Sequence, residues 1–195
     1  KVFTEQFKKY GLPSKIKSDN GPPFAASSGN LGLTKLSAWW MSLGILPTRI
    51  QPGKPYQNGS HERMHRDIAF EIQGKIRGDL KETQAALDLW REEYNNIRPH
   101  EAIGMSTPAS VYKKSERGYF GDIDEIIYPS NYITRRVSLN GMIKLDGVSI
   151  YTNHALIGYQ LGLQPYENNR LRLWFSEFLL GTVNLETYIF EPLKL

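Results

Sequence analysis

The chain has 195 residues, 40% apolar and 23% charged, a length and balance that suit one medium or two small globular domains with a real core. It contains no cysteine, which excludes disulfides and thiolate-bound zinc and favours a cytosolic setting. No run approaches the roughly eighteen apolar residues of a membrane span. The net charge of +4 lies in the first half: residues 1–112 hold 15 lysines and arginines against 11 acids, and residues 113–195 hold nine of each. A phosphate-binding surface needs such an excess, although a solvated basic face is its commoner cause.

The chain opens on "KVFTEQFKKYG", where Val2, Phe3, Phe7 and Tyr10 recur at helical spacing and Gly11 and Pro13 end the helix. No signal-peptide pattern precedes it, and a fragment of a longer protein is expected. "SKIKS" reads as a short strand, residues 31–43 as a helix stopped by Gly44, and "ILPTRIQ" as a second extended piece. From Ser60 to Arg77 a helix is expected, with Met64, Ile68, Ile72 and Ile76 on one stripe and Gly78 as its stop. Residues 80–96 form the next, with Leu87, Trp90, Tyr94 and Ile97 facing inward, and "RPHEAIGMSTPASVY" is a loop leading to a helical turn.

After the charged, glycine-containing segment "KKSERGYFGD" the period becomes that of β-structure. Asn140-Gly141 and Asp146-Gly147 are strong hairpin signals, flanked by "TRRVSL", "MIKL" and "VSIYT". "RLRLWF" after Asn168-Asn169, "FLLGTVNL" and "TYIF" bring the count to about six strands, a small barrel of the SH3-like kind. The expected organisation is an α/β, mostly helical part over residues 1–112, a linker over 113–128 and an all-β domain over 129–195. No internal repeat or low-complexity tract occurs.

Two stretches carry chemistry. In "KIKSDNGPPF", Asp19 falls at the end of a strand, Asn20-Gly21 forces a turn and Pro22-Pro23 prevents the strand from continuing. A carboxylate there projects beyond the sheet edge, where catalytic groups of α/β proteins commonly lie. The plainer reading is an Asx-turn in which Asp19 caps its own loop. In "PGKPYQNGSHERMHRD", Asn58 or Ser60 can cap a helix whose first turn holds Glu62. On a helical wheel Glu62, His65, Arg66 and Ala69 share one side, away from the Met64 and Ile68 stripe.

His61-Glu62-Arg63-Met64-His65 also spells H-E-x-x-H. A zinc protease would need both histidines on the metal, Glu62 on the water and a third ligand such as Glu82, Glu92 or Glu93. The motif sits at the start of a helix rather than in a rigid interior turn, and it leaves the Asp19 stretch without a role. This remains a distant alternative.

Together the two stretches resemble the C-terminal half of the catalytic core of DDE transposases and retroviral-type integrases, with bacterial insertion-sequence transposases of the IS481 and IS3 type the nearest in pattern. The family's S-D-N-G-x-x-F is filled by Ser18, Asp19, Asn20, Gly21 and Phe24, and its P-x-x-N-G-x-x-E-R by Pro55, Asn58, Gly59, Glu62 and Arg63. Tyr94, Asn95, Arg98, Pro99 and His100 fill Y-N-x-x-R-P-H, followed by Thr107-Pro108 for T-P. "GMIKLDGVSIYTNHALIGYQLGL" looks like the small β domain appended in IS481-type members.

The resemblance implies a partial RNase H-like core and metal-dependent phosphodiester hydrolysis followed by strand transfer, as in-line displacements at phosphorus. It implies Mg²⁺ or Mn²⁺ held by carboxylates, with Asp19 and Glu62 as two of three catalytic and metal ligands. Lys54, Gln57, Asn58, Arg63 and Arg66 would face DNA, chiefly through phosphates. Gly21 and Gly59 would allow close approach. His61 and His65 are given a surface or DNA-facing role. DNA ends and target are the implied partners, with a homo-oligomer in the complete enzyme and a bacterial cytoplasmic, nucleoid-associated setting. The family's first catalytic aspartate would precede Lys1, since Asp19 is the earliest aspartate. A chain that lacks it is expected to be inactive alone. A non-catalytic DNA-binding or regulatory module derived from such an enzyme is the second reading. Arg135, Arg136, Arg170 and Arg172 of the β domain could contact DNA or a sister protomer.

Overall fold

The computed structural model describes residues 2–26, 29–51, 53–54, 56, 59–73, 79–123, 125–167 and 169–193, the side chain of residue 73 excepted. The expected stripe residue Ile76, the stop Gly78, the DNA-facing Gln57 and Asn58, and Pro55 and Asn168 of the quoted motifs lie outside the described residues. The chain divides into two units, one of residues 1–53 with 116–195 and one of residues 54–115.

The first unit begins with α1 (Val2–Tyr10), β1 (Lys15–Ser18), α2 (Lys35–Ser42) and β2 (Leu46–Arg49). β1 and β2 pair in parallel, Lys15 opposite Leu46 and Ser18 opposite Arg49. α2 starts four residues later than its apolar pattern suggests because Thr34 and Ser37 form a reciprocal capping box: Ser37 N–H donates to Thr34 Oγ1 (3.1 Å) and Thr34 N–H to Ser37 Oγ (2.8 Å).

α2 is buried on two sides. Trp40 joins Phe7, Leu12, Leu43 and Ile45, with Phe3, Phe24 and Trp39 packed around them. Ala38 and Met41 instead join Leu31 and Leu33 in the cluster that holds the interior of the β-sheet. Residues 116–122 close over the aromatic side. Tyr119 packs on Phe7, Trp39 Nε1–H donates to Asp122 (2.8 Å), and Arg117 donates to the carbonyls of Pro13 and Leu43.

Seven strands follow: β3 (Ile133–Arg136), β4 (Met142–Leu145), β5 (Val148–Tyr151), β6 (Gln160–Tyr166), β7 (Arg170–Phe175), β8 (Phe178–Asn184) and β9 (Ile189–Pro192). Five form an antiparallel sheet in the order β3-β6-β7-β8-β9, and β4 pairs with β5. The β7 sequence alternates as its pattern demands, with Leu171, Leu173 and Phe175 inside. Asp146-Gly147 makes the β4–β5 hairpin turn, both residues at positive φ (49° and 85°). Asn140-Gly141 makes a turn too, closed by Gly141 N–H to Ser138 O (2.9 Å). The strand before it, however, pairs with β6 rather than β4. The β6 strand, "QLGLQPY", is an addition to the strands read from sequence. Its Gly162 and Pro165 weaken the local signal.

The second unit holds α3 (Gly59–Ile68), a π-helical turn (Ala69–Gln73), α4 (Leu80–Asn96), a 3₁₀ turn (Glu101–Ile103) and α5 (Pro108–Val111). α4 is capped by Asp79, whose Oδ1 accepts from Lys81 N (2.8 Å) and Glu82 N (3.0 Å). Of its expected inner stripe Trp90 is buried, but Ile97 is 70% exposed because it falls at the helix end.

Candidate active site

Asp19 follows the last residue of β1 directly and is exposed. Its Oδ1 accepts from Gly21 N–H (3.1 Å), so the Asx-turn is formed and only one carboxylate oxygen is taken up by it. Oδ2 makes no hydrogen bond among the described residues. Asn20 has a task that its motif did not reveal: Nδ2 donates to Ile50 O (3.0 Å), tying the turn after β1 to the end of β2. Gly21 does not have positive φ, and a Cβ there would lie 3.4 Å from Asp19 Oδ1, an ordinary contact.

Glu62 stands in the first turn of α3 and is exposed, as are Arg63, His65 and Arg66 on the same helix and Lys54 before it. The carboxylate faces the positive end of the helix dipole. Arg63 and Arg66 make no ion pair among the described residues, which leaves their guanidinium groups open to an external anion. A Cβ at Gly59 would meet nothing within 4 Å. His61 and His65 lie one turn apart with their Nε2 atoms 3.2 Å from each other. Asp19 belongs to the first unit and Glu62 to the second, and the structure describes each within its own.

The residues after α3 were read from sequence only as a pattern, and here the geometry gives them work. The π-helical turn carries Glu71, whose two oxygens accept from Arg98 Nη1 (2.9 Å) and Nη2 (2.7 Å). Trp90 Nε1–H donates to the same carboxylate at 2.7 Å. Arg98 also lies over the rings of Trp90 and Tyr94, at 6.0 and 5.7 Å. The Glu71 carboxylate beside it holds the guanidinium pKa above its ordinary value. His100 packs edge-on against Tyr94 and its Nε2 lies 3.2 Å from Tyr94 O. Arg98 of the Y-N-x-x-R-P-H stretch, with Tyr94 and His100 packed beside it, thus ties the end of α4 to the π-helical turn that follows α3. Glu71 was missed by the sequence reading. An acid set between Phe70 and Ile72 was the available signal.

The arginines of the β-sheet unit are engaged internally. Arg135 donates to Lys144 O and Thr134 O, Arg136 to Gly158 O, Arg170 pairs with Glu191, and Arg172 stacks on Tyr166 at 3.9 Å. Among the described residues no group of three or more His, Cys, Asp or Glu side chains is placed to hold a metal ion. Glu92 and Glu93, offered as third zinc ligands, accept from Asn96 and Arg98.

Asp19 in the first unit and Glu62 in the second are each exposed carboxylates, the donor type that a hard divalent ion takes together with water. Within the second unit, one helix start carries an exposed acid and two arginines that make no ion pair among the described residues, a polar and anion-attracting stretch in a mixed α/β chain. The comparisons with known proteins are more specific. Residues 43–108 match the family described as "Integrase core domain". The chain is 28% identical over 113 residues to an uncharacterized 31.7 kDa protein of insertion element IS407 from Burkholderia multivorans, covering 53% of this chain and 35% of that protein. It is 31% identical over 108 residues to an uncharacterized 39.2 kDa protein of insertion element IS476 from Xanthomonas euvesicatoria, covering 51% and 27%. A Gag-Pol polyprotein of bovine immunodeficiency virus is 33% identical over 107 residues, covering 55% of the chain and 7% of the polyprotein. Residues 43–108 are therefore similar to an integrase core domain, and the matches span about a third or less of the length of these relatives.

Proposed function

We propose that the chain is part of a DNA transposase that cuts and joins phosphodiesters with Mg²⁺ or Mn²⁺, and that Asp19 and Glu62 supply two of its carboxylates. One observation carries this reading: the integrase-core match spans the helix on which Glu62 stands exposed with Arg63 and Arg66, which make no ion pair among the described residues. When bound, the metal polarises phosphate oxygens and stabilises the leaving oxygen. The chain's own residues do the rest. Lys54, Arg63 and Arg66 neutralise DNA phosphates, together with Gln57 and Asn58, which precede α3 in sequence. The Arg98–Glu71 clamp holds the helical run in place. At the scale of domains, residues 1–112 belong to a partial RNase H-like core, 113–128 to a connecting segment, and 129–195 to a small SH3-like barrel in which the five-stranded sheet and the β4–β5 hairpin take part. DNA, a second copy of the chain and a nucleoid setting complete the reading. No described helix is long and apolar enough to cross a membrane.

The second reading is a non-catalytic DNA-binding module. It is favoured by the exposed basic residues Lys54, Arg63 and Arg66, which can meet phosphates without a metal. Two measurements separate the readings. Fluorescence anisotropy with duplex DNA is expected to show salt-dependent binding, and removing Lys54, Arg63 or Arg66 lowers the slope against log salt by about one each. Strand transfer is then assayed in Mn²⁺ with the chain extended upstream in its own genomic sequence. Activity lost on Asp19→Asn and on Glu62→Gln, with DNA binding retained, supports the enzyme. DNA binding without strand transfer in any form supports the module, and no DNA binding at all ends both.

A further inference from the structure

We infer that His61 and His65 form a binding site for a borderline-soft divalent ion such as Zn²⁺, Ni²⁺ or Cu²⁺. Helical spacing of four places the two imidazoles on one face of α3, both exposed to solvent. Each presents the same nitrogen to the other: the Nε2 atoms are 3.2 Å apart, with ring centroids 4.3 Å apart and planes at 80°. Two nitrogen ligands on a tetrahedral zinc ion, each at about 2.0–2.1 Å, are necessarily about 3.3 Å apart. The Nε2 separation therefore matches that of two ligands on one ion, and the rings swing apart to aim both lone pairs at it. In the absence of an ion the same distance suits an N–H···N hydrogen bond between two neutral rings. An ion binds both Nε2 atoms once each ring carries its proton on Nδ1, a tautomer change in one ring with no net loss of a proton.

The ligand set defines the ion. Imidazole nitrogen favours zinc, nickel and copper, whereas Mg²⁺ prefers oxygen. No third His, Cys, Asp or Glu completes a cluster among the described residues, so the remaining positions fall to water or to an oxygen of a bound anion. This is a chelate without the enclosed ligand shell of a structural zinc site, and its affinity is correspondingly modest. It differs in kind from the carboxylate site proposed for Asp19 and Glu62 and rests on no part of that reading.

Isothermal titration calorimetry of the untagged chain with zinc chloride in a non-chelating buffer tests it. The expected result is one saturable site whose dissociation constant rises by at least about tenfold in His61→Ala and in His65→Ala alike. About tenfold excess Mg²⁺ is expected to leave the isotherm unchanged. Both positions are exposed, and circular dichroism of each variant checks that the fold is kept. His61→Gln, which preserves length and polarity, is expected to bind as poorly as His61→Ala. No zinc binding up to millimolar concentration, binding that survives in either single variant, or suppression of the isotherm by Mg²⁺ would each overturn the inference.

Discussion

A single carboxylate decides how the second unit is held. Glu71 accepts from both terminal nitrogens of Arg98 and from Trp90, with the Arg98 and Glu71 side chains 27% and 30% exposed. Bidentate, charge-assisted pairing of this kind is stronger than a surface ion pair. Arg98→Ala is expected to lower stability in urea by about 1–3 kcal/mol, and Glu71→Gln by less, because the amide oxygen can still accept from Trp90. Equal losses in the two variants would argue against the clamp. In the first unit Tyr128 plays a comparable part. Its hydroxyl donates to Gln160 O (3.0 Å), lies 3.3 Å from Trp174 O and accepts from Ser176 N–H (3.1 Å). Gly162 leaves room for its ring, since a Cβ there would collide with it. Burial pushes the phenol from 10.0 up to about 12. The folded state therefore prefers the neutral form more than the unfolded chain does. That contribution is complete below pH 10 and is lost as pH rises towards 12. Wild type should lose stability across that window more steeply than Tyr128→Phe, in alkaline urea titrations run side by side.

Elements were legible where a local device marks their ends. Asp79 is such a device: it caps α4, and the helix begins at the residue expected. Asp79→Ala should cost about 1 kcal/mol and fray the first turn, seen as faster amide exchange at residues 80–83 with the end of α4 unchanged. Exchange that rises uniformly along the helix would speak against a capping role. Asp146-Gly147 likewise announced its hairpin. The β7–β8 turn had no such mark, because Ser176 adopts positive φ (52°) without being glycine or asparagine. The helix over 31–43 was drawn too long for the opposite reason. Leu31 and Leu33 are apolar because they are buried among sheet residues, and apolar spacing alone does not say which neighbour covers a side chain.

At the scale of the first unit, α2 and the sheet share one buried cluster. Met41 and Ala38 lie far in sequence from Leu161, Leu173 and Leu180, yet all belong to one buried cluster. Met41→Ala should therefore cost about 2–5 kcal/mol and weaken amide protection in β6 and β8, not only in α2. Protection lost in α2 alone would show that the helix contributes little to the sheet's core. Taken by itself, the sequence determined the identities and the local geometry. Asp19 lies after a strand, Glu62 in the first turn of a helix, and the period changes from helical to alternating, because turns, caps and periodicity are written over a few adjacent residues. Three things came only from tertiary structure: the sharing of one core by α2 and the sheet, the meeting of Glu71 with Arg98, and the pairing of β3 with β6. Each joins residues more than twenty positions apart, and a hydrophobic or charged side chain carries no record of which distant partner will bury it.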